Sequence, residues 1–188
     1  HIIQQNKVRF EPIGRDIAET ANGSQLVLGT SSVIGRGGFY FGFDNGSQHV
    51  RTVKAHNGIC FMADAKKNEL LMFGSKGSNY SILSEKNAIS YFNAFFNEDI
   101  LEHELIGIID PANNGSDYWI VKNKEKQEAI KYSMKADGFT SKIKCNKIYN
   151  GVFANKELYL IGEHVYEAYT GDKTGFLMGK YEPSLFKF

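Results

Sequence analysis

Between Asn57 and Phe96 the chain alternates apolar runs of four to six residues with short polar breaks. Asn57-Gly58 opens the run Ile59-Cys60-Phe61-Met62-Ala63-Asp64, a Lys-Lys-Asn break follows, and Glu69-Leu70-Leu71-Met72-Phe73 comes next. Runs this short, bounded by turn residues, are strands buried on both faces. Tyr80-Ser81-Ile82-Leu83-Ser84 supplies a third strand. From Ser84 the period changes: Ala88, Ile89, Phe92, Phe95 and Phe96 fall at helical spacing, which predicts one short helix over about 85–96. Ser84 is its expected N-cap and Asn97 its expected end.

The same grammar extends in both directions. Upstream, Val8-Arg9-Phe10 and Ser24 to Thr30 read as strands, with one helical turn expected over Arg15 to Thr20. Gly35-Arg36-Gly37-Gly38 breaks the pattern before the aromatic strand Gly38 to Phe43, which Asp44-Asn45-Gly46 closes. Val50-Arg51-Thr52-Val53 alternates and leads into the central stretch. Downstream, Leu105 to Asp110 and Tyr118 to Val121 form a hairpin across the turn-rich link Pro111 to Ser116. Ala129 to Met134 and Phe139 to Lys144 form the next pair, around Asp137-Gly138. Gly151 to Ala154, Glu157 to Ile161, His164 to Tyr169 and a last strand near Phe176 to Met178 complete the chain, with turns at Asn155-Lys156, Gly162-Glu163 and Gly171 to Gly175. A strand with Gly near its start, a polar turn and a second strand recur near Gly58, Gly107 and Gly151, at the spacing of a propeller blade. The expected fold is all-β with one short helix, built of β-propeller-like blades in an incomplete ring; a β-sandwich is the alternative. Residues 1–48 are expected as an irregular N-terminal segment with strands, and residues 49–188 as the propeller-like domain.

Composition agrees with a β-rich chain: 19 Gly, 14 Phe and 10 Tyr against 3 Pro in 188 residues. A formal net charge of +1 supplies neither a broad field for nucleic acid nor a polybasic membrane anchor. No apolar run reaches the roughly 20 residues that span a bilayer as a helix. Two cysteines, Cys60 and Cys145, make no disulfide framework, and Cys60 is expected as a buried free thiol. The chain begins with His1, as expected of a processed or partial piece of a longer product.

Each chemistry-bearing feature has a plain structural reading. His1, His49, His56, His103 and His164 are too scattered for a zinc site. Gly35-Arg36-Gly37-Gly38 lacks the Lys-Ser/Thr of a phosphate loop and is expected as a loop or bulge. Asp64 and Asp110 end apolar strands; turn-amide contacts are expected for both, although a hydrolase would use two such carboxylates across a cleft. Lys122, Lys124, Lys126 and Lys131 cluster around Glu125 and Glu128 and are expected on a solvated turn, with phosphate contact as the functional alternative. Phe39, Phe41 and Phe43 alternate with Tyr40 and Gly42: a core or subunit contact, or else a stacking platform for sugar or nucleic acid. No catalytic residue, cofactor site or metal site is assigned, and the chain is expected not to be an enzyme.

The order of elements resembles a known family. Val53 to Asp64, then Ser81-Ile82-Leu83-Ser84-Glu85-Lys86 before a helix with Tyr91-Phe92, then Leu105 to Asp110 and its Tyr-containing return strand follow that family's pattern. So do Ala129 to Ser133 with Asp137 to Ser141, Leu158-Tyr159-Leu160, Val165-Tyr166, Gly171 to Gly175 and Pro183-Ser184. The likeness covers residues 50–188. It is to the propeller-type virion stabilisation and tail proteins of short-tailed bacteriophages, including the muzzle and related tail proteins of crAss-like phages. The resemblance implies a structural virion protein of the tail or portal vertex, assembled in the bacterial host cytoplasm as a homo-oligomeric ring. Its partners would be other tail and portal proteins and packaged DNA, without a membrane, and it would stabilise the particle and retain the genome. A carbohydrate- or receptor-binding tail component and a hydrolase on a propeller scaffold are the alternatives.

Overall fold

The structure is a computed structural model, described for residues 1–74, 78–96, 104–110, 117–123, 127–145, 148–154, 157–162, 165–168 and 178–180. Strands dominate, in several small antiparallel sheets, none of them closed, with one α-helix among the described residues. β1 (Ile2–Ile3) and β2 (Val8–Phe10) are followed by a ribbon of β3 (Ile13–Glu19) and β4 (Gln25–Ile34). β5 (Phe39–Tyr40) then returns to pair with β2, so β1-β2-β5 is a three-stranded sheet from which the ribbon departs. The helical turn expected over Arg15 to Thr20 is therefore strand: Ile17 faces Val27 and Glu19 faces Gln25 across the hairpin, and cross-strand pairing overrides a weak local preference.

Three four-stranded meanders follow. The first is β6 (Lys54–His56), β7 (Ile59–Asp64), β8 (Glu69–Gly74) and β9 (Ser81–Ile82). The second is β10 (Glu104–Asp110), β11 (Asp117–Asn123), β12 (Gln127–Ser133) and β13 (Gly138–Cys145). The third is β14 (Ile148–Ala154), β15 (Glu157–Gly162), β16 (Val165–Ala168) and β17 (Met178–Lys180). Each meander runs strand to neighbouring strand in chain order. The first strand of the second meander, β10, lies against both β6 and β14.

The four sheets stand in a row, and the strands alternate their side chains between two cores. Cys60 and Met62 on β7, with Leu71 and Phe73 on β8, face the N-terminal sheet and pack with Val8 and Phe41. Phe61 and Ala63, with Leu70, face the other way, into a core shared with Leu105, Tyr118, Ile120, Ile130 and Tyr132 of the second meander. The opposite face of that meander, Ile106, Ile108, Trp119, Val121 and Ala129, packs on Ile148, Leu158 and Leu160 of the third. Both faces of β7 and β11 are thus covered, which explains why those strands read as unbroken apolar runs.

The helix α1 (Ile89–Phe96) wedges Phe92, Phe95 and Phe96 into the core between the first two meanders. It starts later than expected. Leu83–Glu85 is a short 3-10 turn, and Ser84 is buried, its Oγ accepting from the Leu70 amide at 3.3 Å. Ser84 therefore ties the turn to β8 and does not cap the helix. Val50–Thr52 is likewise a 3-10 turn where alternation suggested a strand, and the aromatic strand is confined to Phe39–Tyr40. The helix end at Asn97, the link over 111–116 and the turns at Asn155-Lys156, Glu163 and Gly171 to Gly175 lie outside the described residues.

Two of the three repeat glycines sit on first strands. A Cβ on Gly107 of β10 would lie 2.3 Å from the Tyr118 hydroxyl and 2.6 Å from the Thr52 carbonyl. One on Gly151 of β14 would lie 2.4 Å from Cγ2 of Ile108. Both allow adjacent elements to approach. Gly58 departs from this pattern: it sits in the β6–β7 turn at φ +77° with open space beside it.

Candidate functional site

Asp64, Asp110, Lys122, Lys131 and Phe41, all singled out in the sequence, are buried. Asp64, at the end of β7, is buried. It accepts from the Gly46 amide at 3.1 Å, from Nε2 of Gln48 at 3.2 Å and from Nδ2 of Asn45 at 3.4 Å. Asn45 also donates to Glu69 at 2.5 Å and accepts from the Tyr80 hydroxyl at 2.8 Å. This network holds the 44–49 segment against the first meander. Burial pushes the Glu69 carboxyl up, partly offset by the hydrogen bond from Asn45, and burial next to Glu69, Glu85 and Asp64 pushes the Tyr80 hydroxyl up to about 12. Asp110, the other expected carboxylate, is fully buried at the end of β10, directly across from Asp117.

Two lysines expected on a solvated turn are buried instead. Lys131 pairs with Asp117 at 3.1 Å and lies over the Trp119 ring at 5.4 Å. Lys122 donates to the Phe95 carbonyl at 2.6 Å and lies over that ring at 5.3 Å. Each lysine occupies an inward register position of a strand covered on both faces, and a long stem with one paired ammonium is tolerated there. Both are thus held in the interior by these contacts. Lys124 and Lys126 lie outside the described residues.

The aromatic run is interior as well. Phe41 is buried; Phe39 and Phe43 pack against the same core. Phe39 stacks on Phe10 at 5.2 Å, Phe43 on Tyr80 at 4.4 Å, and Phe41 meets Phe73 edge-on at 5.8 Å. Tyr40 alone of the run turns outward, with the Arg9 guanidinium 5.1 Å from its ring centre. A stacking platform of the three phenylalanines is therefore not formed.

Arg51, in the turn before β6, joins the first strands of the second and third meanders: it pairs with Glu104 of β10 and donates to the Tyr149 carbonyl of β14. Next to it, the Tyr118 hydroxyl donates to the Thr52 carbonyl at 2.6 Å, and the Tyr118 ring stacks on Phe61 at 4.8 Å. No sequence motif singled out Arg51. Its position directly before the first meander, in a segment that alternates, was the available signal.

The Gly-rich segment 35–38 is an edge cover. The Gly35 amide donates to the Pro12 carbonyl at 2.9 Å, the Ile17 amide to the Arg36 carbonyl at 2.8 Å, and the Arg36 amide to the Asp16 carboxylate at 2.6 Å. A Cβ on Gly35 would fall 1.6 Å from the Arg15 carbonyl oxygen, and one on Gly37 2.0 Å from that of Ile17. Only glycine lets the backbone lie this close along β3.

What the fold leaves outside is the ribbon β3–β4. Leu26, Val27, Leu28, Val33 and Ile34 of β4 and Ile13 of β3 are all exposed, Val33 to 79 %. Ile17 and Val27 lie on one face, and Ala18, Leu26 and Leu28 on the other. Its tip is closed by hydrogen bonds: Thr20 and Ser24 exchange backbone and side-chain bonds around Gly23. A two-stranded ribbon with apolar residues on both faces is marginal in water by itself. Among the described residues, no group of three or more metal-ligating side chains converges, and Cys60 is a buried free thiol whose pKa burial pushes up to about 11. The candidate functional surface is therefore the exposed apolar ribbon over residues 13–34. In comparisons with known proteins, no family model, no curated protein and no solved structure matches the chain.

Proposed function

We propose that the chain is a structural protein of a bacteriophage virion, placed at the tail or portal vertex, where it multimerises and stabilises the particle or retains the genome. The observation that carries this reading is the contrast between the ribbon and everything else. Asp64, Lys122 and Lys131 are committed to internal contacts, while an apolar ribbon 22 residues long, from 13 to 34, stands outside the row of sheets. Contiguous exposed apolar surface marks an association site, and association is what a particle component does. The order of motifs over residues 50–188, which resembles virion stabilisation and tail proteins of short-tailed phages, supplies the location.

In this reading the three meanders are propeller blades. Their first strands begin at residues 54, 104 and 148 and lie side by side, as the inner strands of blades do. The third meander turns Val152, Tyr159, Ile161 and Val165 away from the second, the face on which a further blade would pack. Other tail or portal proteins are the partners, with packaged DNA as a further contact. The role needs no active site.

Mass spectrometry of purified virions, quantified against the major capsid protein, tests this. A fixed low copy number per particle is the expected result. Absence from virions would overturn it.

A further inference from the structure

We infer that the open edge of β4 pairs with the β4 of a second copy of this chain, antiparallel across a two-fold axis centred near Val27, to make a continuous four-stranded sheet. The inference deepens the multimeric part of the proposed function by naming the surface and its occupant.

The two edges of the ribbon are treated differently. The edge of β3 is covered by the chain's own backbone, through the bonds of Gly35 and Arg36 to Pro12, Asp16 and Ile17. β4 has β3 on one side and no strand on the other among the described residues. Proteins that must keep an edge strand single place Lys, Pro or inward charges on it. β4, Gln25-Leu26-Val27-Leu28-Gly29-Thr30-Ser31-Ser32-Val33-Ile34, contains no charged residue and no proline. All the ribbon's strand charges, Arg15, Asp16 and Glu19, are on β3, away from that edge.

The missing charge also favours an identical partner. Antiparallel pairing of two copies of one strand sets the side chain on the axis opposite its own copy and its neighbours opposite one another, so any charge there meets like or nearby charge of the second copy, and like charges so placed repel. With β4 uncharged, that penalty is absent. The register pairs Ile17 with Val27 and Ala18 with Leu26 within the ribbon. Centring the two-fold on Val27 sets Ile17, Val27, Val27 of the second copy and Ile17 of the second copy in one row. On the other face it sets Leu26 against Leu28 of the second copy. These are the β-branched and aliphatic pairs that stabilise sheets. The straight part of β4, before its register shifts beyond Gly29, has the length of an average strand. Pairing raises the ribbon from two strands to four, past the number that stands alone in water.

The test uses the full chain, with mass followed against concentration by sedimentation velocity. The wild-type chain is expected to associate. Val27→Lys, at a position 52 % exposed and so harmless to the isolated fold, sets two ammonium groups face to face and is expected to weaken association about tenfold or more. Val27→Glu is expected to do the same, and an equimolar mixture of the two variants to associate again. Val27→Cys under mild oxidation is expected to give a covalent dimer above the level of the wild-type chain, because directly opposed Cα atoms lie about 5 Å apart, inside the span a disulfide bridges. A wild-type chain that stays monomeric overturns both this pairing and self-association in general. A Val27→Lys chain that associates as tightly as wild type overturns the pairing alone and leaves a multimer built through another face. Absence of the protein from virions leaves the pairing standing.

Discussion

Gly107 is where the packing between the first two meanders leaves no room. A methyl group there meets the Tyr118 hydroxyl and, more seriously, the Thr52 carbonyl, a backbone atom fixed by the 3-10 turn at Val50–Thr52. Gly107→Ala is expected to cost ~1–3 kcal/mol or more by overpacking. Gly151→Ala meets a side-chain methyl of Ile108, which yields more readily than backbone, and is expected to cost less. Urea unfolding of the two variants checks the ranking. Cys60 gives a prediction in pH. Its folded pKa is raised from 9.0 to about 11 by burial, so the unfolded thiol ionises first as pH rises. Its contribution is complete below pH 9 and is lost between 9 and 11, on the order of 2–3 kcal/mol. Cys60→Ala is less stable than wild type at about pH 8 through lost packing, and the gap between their urea midpoints is expected to narrow towards about pH 11. Tyr80, Tyr91, Tyr118 and Tyr132 are also raised, by burial first, and steepen alkaline unfolding in both proteins, Tyr118 more in wild type because Cys60 adds to its shift.

The helix α1 fills part of the core shared by the first two meanders. Phe92 is fully buried and packs against Phe95, Phe96 and Phe139, with Tyr91 edge-on. Phe92→Ala is expected to destabilise by ~3–5 kcal/mol, seen as a shift in thermal midpoint and loss of near-ultraviolet circular dichroism. The helical spacing of Ala88, Phe92, Phe95 and Phe96 was legible in the sequence because those residues bury one face, whereas Ile89, read as part of that face, is exposed. The start was not. Ser84 has the chemistry of a cap, but its hydroxyl is bonded to the Leu70 amide, fourteen residues away, and a contact across a sheet leaves no mark in local spacing. The same holds for Lys122 and Lys131, whose polar character reads as surface until both faces of their strands are covered.

Across the whole molecule, coverage decreases from the middle of the row outwards to the ribbon. Amide hydrogen exchange is expected to be slowest in β7, β10 and β11, which have cores or neighbouring sheets on both faces. It is expected to be fast along β4, whose pairing is to β3 alone, with the Ile17 amide slower because it is bonded to Arg36. Uniform protection of the ribbon and the β7–β11 core in a dilute, monomeric sample would contradict this gradient.

The sequence by itself marked most strands of the meanders and the one helix of the described residues. Apolar runs of strand length between Gly, Asn and Asp turns leave few other ways to satisfy backbone hydrogen bonds and bury side chains at once. It also determined that Cys60 would be interior. Tertiary structure decided what depends on residues far apart in the chain. Residues 15–19 became strand because β4 pairs with them, Phe39 and Phe43 turned inward because Phe10 and Tyr80 are there to stack on, and Gly35 and Gly37 became a cover for β3. The exposed edge of β4 was likewise invisible locally: a strand's sequence records which side chains pack, while its free backbone edge is defined only by which neighbours arrive.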